Sequence, residues 1–190
     1  TKGCSVEKTE NDLIVKGELH SGVYEVAGDV SSQFITGLLF TLPLLKGDSE
    51  IRLTTPLQSA PYVDITIDVL SHFGVEIIRE GDTFFIKGDQ KFKSCNGVCE
   101  GDWSNAAFLD GFNLAGGEVT LENMNPHSKQ GDMIYKEYFR LLCEGTPRLD
   151  ISQCPDLGPV LIACAVLRNG ATLTGTNRLK IKESDRGQVM

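Results

Sequence analysis

The chain has no apolar run long enough to cross a membrane. Its longest apolar stretch, Phe34 to Leu45, falls well short of the roughly 18 residues a spanning helix needs. No signal peptide opens it and no Gly/Ser linker or low-complexity tract divides it. Basic residues are in deficit, with 18 Lys and Arg against 26 Asp and Glu and a formal charge of −8. That balance argues against a nucleic-acid partner, whose backbone demands a basic surface. The six cysteines (4, 95, 99, 143, 154 and 164) lack the paired spacing of a zinc site, and His20, His72 and His127 do not cluster with them, so no metal is expected. Reduced thiols in a cytoplasmic protein are the plainer expectation. Thr1 stands where an initiating Met would, and Met190 falls where a helix begins, which reads as an interior piece of a longer protein.

What the chain does have is repetition. "GDVSSQFITGLLF" begins at Gly28 and "GDWSNAAFLDGFNLAGG" at Gly101. A Ser or Asp just before an apolar run marks a helix N-terminus, because its side-chain oxygen accepts from N–H groups that the first turn leaves unpaired. After the first copy, "SEIRLTT" reads as a strand and Asp64 opens a helical "DITIDVLSHFG". After the second, "EVTLEN" reads as a strand and "QGDMIYKEYFRLL" is helical around Asp132. A third pass runs through "DLGPVLIACAVLRNG", the strand "ATLTG" and Asp185. The helix-ending glycine and the aspartate lie 17 residues apart in the first pass (Gly47 to Asp64), 16 in the second (Gly116 to Asp132) and 15 in the third (Gly170 to Asp185).

Such self-similarity marks a fold assembled from a repeated supersecondary unit. The unit reads as βαβα closed by a hairpin, which "VEIIREGDTFFIKG" supplies around Gly81 and Asp82. The second copy has no such hairpin: only "CEGTP" precedes the next strand, "RLDIS". The fold class is therefore α/β (α+β), with a boundary expected within Lys93–Asp102.

One segment runs against the acidic average. "NRLKIKESDRG" carries Arg178, Lys180, Lys182 and Arg186 against Glu183 and Asp185. If extended, it aims Arg178, Lys180 and Lys182 to one face and Leu179 and Ile181 to the other. Beside a helix start, three such cations suit a phosphate or carboxylate ligand. A merely solvated charged strand end is the alternative.

"GDVSSQF", "SAPYVDIT", "GDWSNAAF", "NPHSKQGD", "DISQCPDLGPVL" and "LKIKESDR" together resemble 5-enolpyruvylshikimate-3-phosphate (EPSP) synthase, in this order and over essentially the whole chain. The resemblance covers only the middle of the family's length. It implies two domains of repeated βαβαββ units in the enolpyruvyl transferase inside-out barrel fold, with substrates in the cleft between them. Residues 1–98 would end the first domain and 99–190 begin the second. It also implies transfer of the enolpyruvyl group of phosphoenolpyruvate to the 5-hydroxyl of shikimate 3-phosphate, in aromatic amino acid biosynthesis. No cofactor or metal is implied, nor any nucleic-acid or membrane partner, and the whole enzyme is expected to be a cytoplasmic monomer. The piece alone would be inactive, because basic residues that the family uses lie outside it.

Carried onto this sequence, the resemblance assigns Ser31, Ser32 and Gln33 to the shikimate phosphate, with Gln33 touching both substrates. Ser59 and Tyr62 belong to a second phosphate-contacting element, in which Ala60 replaces a residue that is often Lys. Asp156 is the expected base for the 5-hydroxyl, against the alternative of an N-cap before Pro159. Glu183 serves the methylene carbon, Lys182 lies near the shikimate ring, and Arg186 holds the phosphoenolpyruvate carboxylate. Arg178 takes a shikimate 3-phosphate position that is Asn in some members. Trp103, Ser104 and Gln130 are assigned to packing and caps. Two other functions compete: the related transferase acting on UDP-N-acetylglucosamine, which "SSQF" and "KESDR" disfavour, and a noncatalytic module of the same fold, which predicts broken motifs.

Overall fold

The computed structural model describes residues 2–180 and Gln188. The chain divides into two compact units, one of Thr1–Leu57 with Thr66–Cys95, the other of Gln58–Ile65 with Asn96–Met190. Among the described residues, no helix is long and apolar enough to cross a membrane.

The first unit opens with an antiparallel hairpin, β1 (Cys4–Lys8) and β2 (Leu13–Gly17), in register from Cys4 opposite Gly17 to Lys8 opposite Leu13. Next comes one full βαβαββ unit. β3 (Val23–Ala27) leads through α1 (Ser32–Thr41) to β4 (Ser49–Thr55), and the two strands pair in parallel, as a helical crossover requires. α2 (Ala60–His72), whose residues up to Ile65 are counted with the second unit, then leads to the hairpin of β5 (Ile77–Glu80) and β6 (Thr83–Ile86). β6 lies antiparallel to β4, giving the sheet order β3-β4-β6-β5. Ile35 and Leu39, one helical turn apart on α1, are fully buried, as are Ile51 and Phe84 of the sheet. Each such side chain contributes about 1.5–3 kcal/mol of burial.

The second unit carries α3 (Trp103–Leu114), α4 (Tyr135–Glu144), β7 (Arg148–Asp150), α5 (Gly158–Leu167) and β8 (Thr172–Thr174). β7 and β8 pair in parallel with α5 as the crossover. On α4, Tyr135, Phe139 and Leu142 recur at helical spacing and face the core, while Arg140 on the outer side pairs with Glu137 and Glu144. The core joins these residues to Trp103, Ala107, Leu149, Leu157 and Leu161.

The repeat glycines behave alike. Gly47, Gly116 and Gly170 have φ of +85°, +100° and +84°, the left-handed conformation that ends helices and that residues with a Cβ avoid. Three expectations need correction. α2 begins at Ala60 rather than at Asp64, because Pro61 sits in its first turn, where a missing N–H does no harm. "EVTLEN" forms no strand. Its Val119 instead donates to Asn113 Oδ1 (2.6 Å) and accepts from Asn113 Nδ2 (2.8 Å), so a side-chain amide stands where a neighbouring strand would. Finally, Arg178 and Lys180 do not lie on an extended segment: Gly175 (φ +71°) turns the chain after β8 into a 3-10 helix, Thr176–Lys180, whose Leu179 is buried in the core.

Candidate active site

At the start of α1, Ser31 has extended backbone (φ −156°, ψ 126°) and its Oγ accepts from the Gln33 N–H at 3.2 Å. Accepting that bond leaves the hydroxyl proton available for donation. Asp29 is held apart from the cap: it accepts from Thr55 Oγ1 at 2.6 Å while its own N–H donates back to that oxygen at 3.2 Å. The first turn of α1 holds no acidic residue, so the positive end of the helix is not neutralised there. Ser32 is buried and Gln33 exposed.

α2 starts in another way. Ser59 precedes it at φ +56°, almost fully buried, in a backbone region that costs a residue with a Cβ about 1–3 kcal/mol and clusters at functional sites. Its carbonyl accepts from the Tyr62 N–H at 3.2 Å, and the Ala60 N–H is capped by Gln153 Oε1 at 3.2 Å. Gly131 allows this first turn a close approach, because a Cβ there would lie 2.8 Å from Pro61 Cγ.

The Tyr62 hydroxyl lies 2.9 Å from Asp132 Oδ2 and 3.2 Å from Asp156 Oδ2. Burial, then the charges of Asp132 and Asp156, hold the phenol far above its ordinary pKa, so it stays protonated. Asp132 is only 2% exposed, and among the described residues its Oδ1 has no side-chain partner within hydrogen-bonding geometry. Burial raises its pKa. The Tyr62 hydrogen bond opposes that rise, the charges of Asp156 and Asp102 add to it, and a hydrogen bond from the residue's own backbone N–H opposes it least. Nearby, burial followed by the Asp132 charge pushes the Cys154 thiol up to about 12, leaving it neutral and inert.

Asp156 stands half-buried in a 3-10 turn, Pro155–Leu157, that runs into α5. The N-cap residues of that turn and of α5 are Cys154 and Leu157, whose side chains make no cap hydrogen bond, so Asp156 does not occupy the N-cap position of α5. The structure thus brings Tyr62 and Asp156 together. The backbone of Arg178 lies in the 3-10 helix after β8, whereas Lys182, Glu183 and Arg186 lie outside the described residues.

The model of the family "EPSP synthase (3-phosphoshikimate 1-carboxyvinyltransferase)" matches residues 3–190. The chain belongs to the EPSP synthase family. Curated 3-phosphoshikimate 1-carboxyvinyltransferases agree. That of Clostridium acetobutylicum is 41% identical, over 94% of this chain and 45% of its own length. That of Clostridium kluyveri is 44% identical, over 94% and 47%. The chain therefore spans about half the length of the curated relatives it matches. The solved EPSP synthase of Acinetobacter baumannii superposes with a TM-score of 0.69 at 20% identity, covering 99% of this chain and 49% of that one, which establishes the shared α/β fold.

In this EPSP synthase family member, the start of α3 is a structural counterpart to the start of α1. Asp102 is its N-cap, accepting from the Ser104 and Asn105 N–H groups (2.8 and 3.3 Å) and from Asn105 Nδ2 (2.8 Å). Gln130 Oε1 accepts from the Trp103 N–H at 2.8 Å, and its Nε2 donates to Glu100 Oε1 and the Gly101 carbonyl. Trp103 itself is buried, with Nε1 donating to the Asn125 carbonyl at 3.2 Å. Asp132 was visible in the sequence only as a repeat position. Its "QGD" context, just before an amphipathic helix, gave no sign that the carboxyl would be buried beside Tyr62.

Proposed function

We propose that this chain is the central part of an enzyme that transfers the enolpyruvyl group of phosphoenolpyruvate to the 5-hydroxyl of shikimate 3-phosphate. The carrying observation is Asp156: it stands half-buried in the turn that runs into α5, with the Tyr62 hydroxyl 3.2 Å from its Oδ2. A half-buried carboxylate within hydrogen-bonding distance of a phenol that stays protonated suits a general base.

In this reading Asp156 takes the proton of the 5-hydroxyl as its oxygen bonds to the phosphate-bearing carbon of phosphoenolpyruvate. Glu183 supplies a proton to the methylene carbon. That methyl then loses a proton as the C–O bond to phosphate breaks, so the enolpyruvyl group is restored on its new oxygen. Ser31 and Ser32 donate to the shikimate phosphate at a helix end free of acidic side chains, with Gln33 beside them. Ser59 and Tyr62 contribute from the start of α2, Arg178 and Lys182 bind the shikimate moiety, and Arg186 binds the phosphoenolpyruvate carboxylate. The steps are proton transfers and a phosphate departure, which call for no redox or acyl-carrier cofactor. Residues 1–98 and 99–190 are then parts of two successive domains.

The test is Asp156→Ala in a full-length enzyme carrying this segment. Turnover should fall by the ~10²–10⁴ of a lost general base, with shikimate 3-phosphate affinity by calorimetry largely kept. Turnover near wild type would remove Asp156 from the mechanism.

A further inference from the structure

The segment that carries Asp156 also carries Gln153, which has no part in the proposed proton transfers. Between β7 and α5 the chain runs through two consecutive tight turns, with the Cys154 N–H donating to the Ile151 carbonyl at 3.2 Å and the Leu157 N–H to the Cys154 carbonyl at 3.1 Å. The Ser152 N–H is held as well, by Asp150 Oδ1 at 2.9 Å. Ile151, Cys154 and Leu157 are anchored in the core, which leaves Gln153 exposed between them. Its Oε1 accepts from the Ala60 N–H at 3.2 Å, a hydrogen bond between residues 93 positions apart.

That bond serves the first turn of α2. A helix leaves its first N–H groups without intrahelical partners; here Pro61 has none to offer, and the Tyr62 N–H goes to the Ser59 carbonyl at 3.2 Å. The Ala60 N–H is met by Gln153. Only the oxygen of a side-chain amide can meet an N–H, so the bond also fixes which way the Gln153 amide points. A cap that comes from so far away sets a geometry. Ala60 lies just before Tyr62 and Gln153 just before Asp156, so the Gln153–Ala60 bond closes a ring whose other closure is the 3.2 Å approach of the Tyr62 hydroxyl to Asp156 Oδ2. Gly131 completes the seat: a Cβ there would lie 2.8 Å from Pro61 Cγ and 3.8 Å from the Gln153 carbonyl oxygen. All of these residues belong to the second unit.

We propose that Gln153 is a positioning residue: by capping α2 from the segment of Asp156, it holds the start of that helix, and with it the Tyr62 hydroxyl, in place against Asp156. The rigid turns make this possible, because a side chain fixed at Gln153 is fixed relative to Asp156 as well. The positioning role rests on the reading of Asp156 as the base. The cap itself does not.

Both are tested in a full-length enzyme carrying this segment. Gln153→Met keeps the length of the side chain and removes the acceptor, at an exposed position where substitutions are well tolerated. Hydrogen exchange at the Ala60 amide should quicken by about 2- to 10-fold, the equivalent of one lost hydrogen bond, and kcat should fall by a similar factor. Gln153→Glu, which again offers an oxygen to that N–H, should recover most of both losses. In a Tyr62→Phe background the kcat loss from Gln153→Met should largely vanish, since no hydroxyl is left to place.

Unchanged exchange at Ala60 in Gln153→Met overturns the cap and the proposal with it. Faster exchange with undiminished kcat, or an equal kcat loss with and without the Tyr62 hydroxyl, overturns the positioning role. Undiminished turnover in Asp156→Ala refutes the base assignment instead, and the exchange result then decides the cap separately.

Discussion

α1 and α3 open on the same four-residue pattern, Gly-Asp-x-Ser, and use its polar groups in opposite ways. In the first copy the serine caps and Thr55 of β4 holds the aspartate; in the second the aspartate caps and the serine only donates its backbone N–H. The difference follows from what comes after each helix. β4 is a paired strand whose end presents Thr55 to Asp29, whereas the segment after α3 is tied to Asn113 and forms no strand. A neutral cap keeps the helix end attractive to an anion, and a carboxylate cap neutralises it. One sequence motif thus yields one helix start fit for phosphate and one that serves the fold.

The strongest way to break this contrast is to give α1 the cap of α3. Ser31→Asp in a full-length enzyme carrying this segment should weaken shikimate 3-phosphate binding by about 1.5–3 kcal/mol or more, roughly 10- to 150-fold, while leaving the melting temperature level or higher. Calorimetry and thermal unfolding of the same sample read both, and unchanged affinity would end the phosphate assignment. Next in size, Asn113→Ala strips Val119 of both its backbone partners and should destabilise the second unit by about 1–3 kcal/mol. Urea unfolding measures the loss, and faster exchange of the Val119 amide locates it.

Asp102→Ala should cost about 0.5–2 kcal/mol as a lost N-cap, with Asp102→Asn recovering most of it in the same urea series. An equal loss in both variants would mean that charge, not hydrogen bonding, matters at α3. The smallest effect expected is that of Thr55→Val, which releases Asp29 and should cost about 0.5–1.5 kcal/mol. If Asp29 then takes over the cap, Ser31→Ala should become milder in the Thr55→Val background, which a double-mutant cycle would detect.

Where local chemistry decides structure, the sequence was readable. α1, β4, the β5–β6 hairpin and the helix-ending glycines follow from caps, alternation and the left-handed turn, each set within a few residues. Partners distant in sequence were the difficulty. "EVTLEN" has the composition of a strand, but a strand exists only if another edge meets it, and Asn113 met it instead. The β1–β2 hairpin buries neither face, so it offers no alternation to read. Pro61 did mark the true start of α2, yet the more familiar Asp signal at position 64 masked it. At the site, the serine cap was legible, whereas the meeting of Tyr62 with Asp132 and Asp156 spans 70 and 94 residues and leaves no local trace. The burial of Asp132 runs against the residue's ordinary surface preference, so composition pointed the wrong way.

The second unit is discontinuous, taking Gln58–Ile65 from far upstream of Asn96. That makes its assembly a matter of timing. A ribosome releases Tyr62 long before Asp132 and Asp156 exist, and closing loops of that length carries an entropic cost that must be met before any contact rewards it. The phenol therefore joins its carboxyls late, and a chain cut between Cys95 and Asn96 would produce a second half that folds, if at all, without the hydroxyl that separates its two aspartates.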